Sequence, residues 1–370
     1  MRNVLNKAYE TDASQIQGKA SQVIIPKTIK EIRDAVRLND NITPRGGGTG
    51  LVGGAVPQNG LVIDLSKMNK IIKFDKQRKT IEVEAGMILV ELNGFLMQHG
   101  LEFPINPLSH EVCTIGGMIA TDAVGSRALK YGRTSKWVDS IEIVDSDGEL
   151  KKVGKAELSD YSGLEGLTGI IIRAKLYLTE LKLRTADLFS FNSLQEVVDV
   201  VKQLKSERSV SMIEFFDKMI SEFLGLEKRY HLIVEYESDK GKLKDKEYRD
   251  ILKLRETIGP VLSGEGYLKI EDPKILIGRF VKFGEFLEQN KIPYFGHISV
   301  GIIHPHFKKE QENLIPEMMS LVRRLHGQVS GEHGIGLLKK EFLDSTERRI
   351  YLSVKKRCDP GNKFNQGKIL

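Results

Sequence analysis

The chain reads as an α+β protein with a strand-rich first half and a later α+β cap, and three observations carry that expectation. Up to about residue 181, short apolar runs such as "SQVIIP", "LVIDL", "IIKFD" and "TIEVEAG" alternate with glycine-rich punctuation, the pattern of strands joined by turns. Beyond it glycine thins out, and "FNSLQEVVDVVKQLKSE", "HLIVEYES", "KEYRDILKLRETI" and "RFVKFGEFLEQNKIPYFGHISVGIIH" read as helices alternating with strands. Glycine punctuation returns near the end, in "VSGEHGIGLLKKEFL" and "CDPGNKFNQGKIL", around one more helix. A length of 370 residues accommodates two or three domains, and the expected division is 1–181, 182–328 and 329–370.

Element by element, "TIKEIRDAVRLN" has helical spacing, and 46–54 carries six glycines in nine positions ahead of the strand "LVIDL". Residues 87–99 place Ile88, Leu89, Leu92, Phe95 and Leu96 at helical intervals, with Gly100 where a left-handed cap belongs. Asp147-Gly148 inside "SIEIVDSDGELKKV" marks a hairpin.

Composition excludes several functions. Charged residues make up 29% and no apolar run approaches the length of a membrane span. The net charge of +6 comes from lysines interleaved with acids, as in "SDKGKLKDKEYRDILK", which is a solvated face and not a nucleic-acid platform. Two cysteines, Cys113 and Cys358, are too few for an iron-sulfur cluster or a four-thiolate zinc site. The N-terminal "MRNVLNKAYETDASQ" lacks a secretory core, so the cytoplasm is expected.

The segment "TPRGGGTGLVGG" trades backbone entropy for close approach to the main chain, and its natural guest is a phosphate. Neither a Walker loop nor a Rossmann fingerprint fits, because a strand and not a helix follows. A loop whose N–H groups converge on an anion remains. Glycines recur in "NPLSHEVCTIGGMIATDAVGSRALKYGR", and two glycine-rich walls suggest a dinucleotide.

The pair "PRGGGTGL" and "TIGGMIAT…G……YG" resembles the FAD-binding domain of the vanillyl-alcohol oxidase (PCMH) superfamily, most closely its D-lactate, glycolate and D-2-hydroxyglutarate dehydrogenases. The tail motifs "VSGEHGIGLLKKEFL" and "CDPGNKFNQGK" extend the resemblance over nearly the whole chain, although Gln366 stands where the family has proline. The resemblance implies a PCMH-type FAD-binding domain of two α+β subdomains over 1–181, a ferredoxin-like α+β substrate cap over 182–328, and a C-terminal helical segment closing on the flavin. It implies non-covalent FAD held by Arg45, Gly46, Gly47, Gly48, Thr49, Gly50, Leu51, Pro107, Thr114, Gly116, Gly117, Thr121, Gly125, Tyr131, Gly132, Glu165, Gly169, Ile170 and Asn365.

Within "HISVGIIH", His297 and His304 are seven apart, which would put them on opposite faces of one straight strand. A two-residue turn at Val300-Gly301 would instead make them directly opposed cross-strand partners. The family pattern is His-x-Gly-Asp-Gly-Asn-x-His, from which Ser299, Val300 and Ile302 depart. By the same resemblance His297, His304 and Glu332 would bind one divalent metal, zinc before iron or manganese; two histidines satisfied by hydrogen bonds are the alternative. His333 would take the substrate hydroxyl proton, and Arg255 and Lys269 would bind its carboxylate. The implied activity is oxidation of a small D-2-hydroxy acid by hydride transfer to flavin; a flavin-carrying electron-relay subunit is the rival. The acceptor stays open among a quinone, an electron-transfer protein and dioxygen, as do a homodimer and peripheral membrane association. Nucleic acid is not expected as a partner.

Overall fold

A computed structural model describes residues 4–370, in two compact units. The first comprises 4–123, Arg133–Leu181 and His333–Leu370. It opens with α1 (Val4–Ala8), β1 (Lys19–Ile24), α2 (Ile29–Leu38), β2 (Ile42–Arg45) and β3 (Gln58–Asp64), the strands forming a parallel sheet in the order β1-β3-β2. Helix α2 starts where Thr28 accepts a hydrogen bond from the Glu31 amide, and it buries Ile32 and Val36, one turn apart on one face. Central β3 is buried from Gly60 to Asp64, as expected for a parallel strand covered on both faces.

A five-stranded antiparallel sheet follows, ordered β4-β5-β9-β7-β8, from β4 (Ile71–Asp75), β5 (Thr80–Glu84), β7 (Val138–Val144), β8 (Leu150–Gly154) and β9 (Ile170–Tyr177). Strands β6 (Leu101–Glu102) and β10 (Thr179–Glu180) form a short pair. The Asp147-Gly148 turn joins β7 to β8 with Gly148 at φ +74°, and α3 (Leu89–Met97) ends before Gly100 at φ +72°. Helix α4 (Ile115–Thr121) and the C-terminal α12 (Ser345–Cys358) complete the unit.

The last residues were expected as a separate segment, and they fold instead as part of this first unit. The backbone of Ile42 exchanges hydrogen bonds with Lys363 and Asn365, so the tail extends the β2 edge. Buried Lys355 of α12 donates to the carbonyls of Leu167 and Phe364 and to the Asp359 carboxylate.

The second unit comprises Val124–Gly132 and Lys182–Glu332. Its antiparallel sheet runs β11-β13-β12-β15-β16-β14, from β11 (Thr185–Phe191), β12 (Val210–Phe216), β13 (Tyr230–Tyr236), β14 (Lys269–Ile270), β15 (Tyr294–His297) and β16 (Ile302–Phe307). Strand β13 lies between β11 and β12, the split β-α-β arrangement of ferredoxin-like folds. Helices α6 (Leu194–Leu204), α10 (Phe280–Gln289) and α11 (Ile315–Arg324) accompany α5 (Ala128–Tyr131), α7 (Lys218–Phe223), α8 (Asp245–Glu256) and α9 (Ile258–Gly264). Met212, Phe216, Ile233 and Phe295 project from the sheet into one core with Ile251, Ile258 and Leu262 of α8 and α9. That same sheet face carries the acids and histidines described next.

No helix among the described residues is long and apolar enough to cross a membrane.

Candidate functional site

In the first unit, 46–54 is irregular and leads into β3, as the sequence suggested. None of its nine backbone N–H groups donates a hydrogen bond within the described residues, and most of the loop is half-buried or exposed, so these donors are open to solvent or to a ligand. A run of unspent donors is what a pyrophosphate requires. A Cβ on Gly47 would fall 2.3 Å from the Val112 carbonyl oxygen, and one on Gly46 would fall 2.3 Å from Thr114 Oγ1. At Gly50 the nearest atom would be Asp12 Oδ2 at 4.0 Å. Part of the loop is thus pressed against 112–114 and part is open.

Arg45 braces this loop: its Nη1 donates to the carbonyls of Thr11 and Ala55, and its guanidinium lies 5.3 Å over the Tyr9 ring. Gly116 also serves the packing of this unit. Its amide donates to the Ala85 carbonyl and a Cβ would meet the Ala85 methyl at 2.6 Å, so the glycine lets α4 pack closely. Thr114 caps α4 through Gly117, and Thr121 bonds back to the Gly117 carbonyl.

Glu165 lies buried at φ +50°, its Oε1 accepting the amides of Ile335 and Gly336 while Oε2 has no hydrogen-bond partner among the described residues. Burial raises its carboxyl to about 7 against the opposing pull of those amides. Asn365 donates to the Glu165 carbonyl at 2.6 Å, and Lys368, lowered to about 7 by burial, donates to the Gly54 carbonyl at 2.9 Å. The tail therefore ties the glycine loop to 164–170, which includes Gly169 and Ile170 at the start of β9.

In the second unit, His297 and His304 lie on one face, but not by the expected two-residue turn. The register pairs His297 with Ile302 and Phe295 with His304; the connection is one turn of 3-10 helix, Ile298–Val300, closed by Gly301 at φ +79°. The histidines are diagonal neighbours and not opposed, because two further residues enter the loop. Their rings are 5.5 Å apart and nearly perpendicular. Glu332 completes the group, with Oε1 3.1 Å from His304 Nε2 and Oε2 3.7 Å from His297 Nε2. One ligand atom from each of the three lies within 4.8 Å of the others, so the donor set fits a single divalent ion.

Two buried side chains connect to this triad. Glu214 of β12 accepts from His297 Nδ1 and from Arg255 Nε of α8, the latter at 2.6 Å. Burial works against its charge, yet Arg255 and His297 hold it down at about 2. Burial likewise opposes charge on His297, and the facing Glu214 and Glu332 carboxylates outweigh it, pushing the imidazole up to about 9. A divalent ion would compete with that proton for Nε2.

Arg255 is buried, and its Nη2 has no hydrogen-bond partner among the described residues. Lys269, by contrast, is paired with Phe307 in the β14–β16 register and faces away from His304 and His306; it salt-bridges Glu271 at 3.1 Å. Gly125, Tyr131 and Gly132 fold with the second unit, where the Tyr131 hydroxyl donates to Glu237 and Arg127 forms a bidentate pair with Glu235. Pro107 and Leu51 remain in the first unit, and His333 begins its C-terminal part, immediately after Glu332 in the chain.

Comparison with known proteins fits both halves of this arrangement. The FAD binding domain family matches residues 20–154 and the C-terminal domain of FAD linked oxidases matches 278–369. The chain belongs to the FAD-linked oxidases. A D-2-hydroxyglutarate dehydrogenase of Xanthomonas citri pv. viticola is 27% identical, covering 94% of this chain and 88% of that protein. A D-lactate dehydrogenase of Archaeoglobus fulgidus is 28% identical, covering 94% and 91%. Among solved structures, alkyldihydroxyacetonephosphate synthase superposes with a TM-score of 0.70 at 18% identity, over 99% of this chain and 81% of that one, a likeness of fold.

In this FAD-linked oxidase the residue that the sequence reading missed is Glu214. Its signal was present: "VSMIEFF" is an apolar strand, buried on both faces, interrupted by one acid, and a carboxylate there requires partners. "YHLIVEY" carries the same signal at Glu235, which Arg127, Ser211 and Tyr248 satisfy.

Proposed function

We propose that this chain oxidises a small D-2-hydroxy acid, of the D-lactate, glycolate or D-2-hydroxyglutarate type, to the 2-oxo acid. The observation that carries the reading is the set of buried His297 and His304 with half-buried Glu332, joined through Glu214 to the cationic Arg255 and followed in the chain by His333. The names of the two relatives point the same way.

The flavin supplies the hydride acceptor, and the divalent ion, zinc by its two nitrogen donors and one oxygen donor, supplies Lewis acidity toward the hydroxyl. The protein's own groups do the rest. His333 takes the hydroxyl proton as the C–H electron pair leaves as hydride and the carbonyl forms. Arg255 offers Nη2 to the substrate carboxylate. Lys269 has a weaker claim to that role, since it faces away from the histidines. The FAD is non-covalent: 46–54 contains no histidine, cysteine or tyrosine, and burial raises the Cys113 thiol to about 11, so it is not a ready nucleophile.

The test is anaerobic flavin bleaching with a panel of hydroxy acids. A D-2-hydroxy acid is expected to bleach the flavin, and His333→Ala to retain its FAD spectrum while reducing at least about a hundredfold more slowly, the low end of general-base contributions. Reduction within a few-fold of wild type would remove His333 from the role. Failure of every hydroxy acid would remove the reaction.

A further inference from the structure

Glu214 has no part in the chemistry just described, yet it contacts two groups that do. It is fully buried on β12, and the register that pairs Phe216 with Phe295 and Phe215 with Gly296 continues to set Glu214 against His297. One oxygen accepts from His297 Nδ1 and the other from Arg255 Nε. A neutral imidazole that donates through Nδ1 presents a lone pair at Nε2, the form an ion at Nε2 selects by displacing its proton, and Nε2 is the atom turned toward Glu332. At 3.7 Å that approach is too long for a hydrogen bond and is compatible with an ion between the two groups.

We propose that Glu214 is the positioning residue of this site: its carboxylate holds His297 with Nδ1 protonated and Nε2 directed at the ion, and the same carboxylate orients Arg255 with Nη2 left for the substrate. The inference rests on reading His297, His304 and Glu332 as a metal site. Carboxylates that orient a ligating histidine through its second nitrogen raise its basicity and fix its ring. A purely structural partner for Arg255 would need no contact with His297, and here the two contacts occupy different oxygens.

The experiment uses the FAD-loaded protein, stripped of metal by a chelator and titrated with zinc against a chromophoric competitor. Glu214→Gln keeps the size and the hydrogen-bond acceptor but removes the charge; its zinc Kd is expected to rise ~10- to 100-fold with flavin stoichiometry unchanged. A Kd within about threefold of wild type, outside that range, overturns the proposal while leaving the metal site standing. Wild-type protein that binds no zinc overturns the metal reading and this inference with it. If Glu214→Gln does not fold, imidazole nitrogen NMR of isotope-labelled wild type decides, with His297 assigned through His297→Gln. A protonated Nδ1 and a metal-bound Nε2 are expected, and a protonated Nε2 refutes the role.

Discussion

Replacing Gly47 with alanine should weaken FAD binding by an amount the structure sets. The added Cβ would stand 2.3 Å from the Val112 carbonyl oxygen, where ordinary contact begins at 3.4 Å. The neighbour cannot turn aside, because 109–113 is a tight turn in which the amides of Val112 and Cys113 both bond to the Ser109 carbonyl, and Cys113 in turn accepts from Leu89. The loop must move by roughly an ångström, and overpacking of this kind costs ~1–3 kcal/mol. With the loop relaxed outward in the apoprotein, flavin binding must restore the close approach, so the cost appears as affinity. The FAD Kd should rise about 5- to 150-fold, at 1.4 kcal/mol per factor of ten. Quenching of flavin fluorescence on titrating apoprotein measures it. Gly94→Ala is the control: it lies inside α3 with nothing within 4 Å of the new methyl, and should add up to about 1 kcal/mol of helix stability without changing the Kd. A Gly47→Ala Kd within twofold of wild type would refute the claim that contact with 112–114 shapes the binding loop.

Further outcomes are expected. Lys355→Met leaves the buried Asp359 carboxylate without its ammonium partner and should destabilise the protein by about 3–5 kcal/mol in denaturant melts. Asp217 caps α7, and burial raises its carboxyl from 3.8 to about 8. The folded state therefore binds this proton more tightly than the unfolded state; the contribution is complete below pH 3.8 and lost as pH rises through 8. Asp217→Asn should accordingly gain in melting temperature relative to wild type between pH 5 and pH 8, and an equal difference at both values would contradict the assignment. Acid precipitation should release the flavin colour into the supernatant, whereas colour in the pellet would point to His110 or Cys113 as an attachment site. Metal analysis should find one divalent ion per chain, and chelation should slow flavin reduction by a hydroxy acid without releasing FAD.

Features governed by neighbours in the chain were legible in the sequence. The Asp147-Gly148 hairpin, the Thr28 cap of α2, the Gly100 stop after α3 and the non-helical glycine loop each depend on torsional preferences or hydrogen bonds that reach a few residues. The glycine loop and the "SGEHGIG" tail also marked the flavin chemistry, because close approach to backbone leaves a compositional trace. Tertiary structure decided what depended on register and long-range packing. A turn two residues longer than expected made His297 and His304 diagonal partners. Pairing of β12 with β15 set Glu214 against His297, and pairing of β14 with β16 turned Lys269 away. Tyr131 went to Glu237 through a contact more than a hundred residues away. In each case a one-residue change of strand register would reverse the face on which a side chain emerges, and that register is chosen by burial of the whole sheet and not by the residues flanking the site.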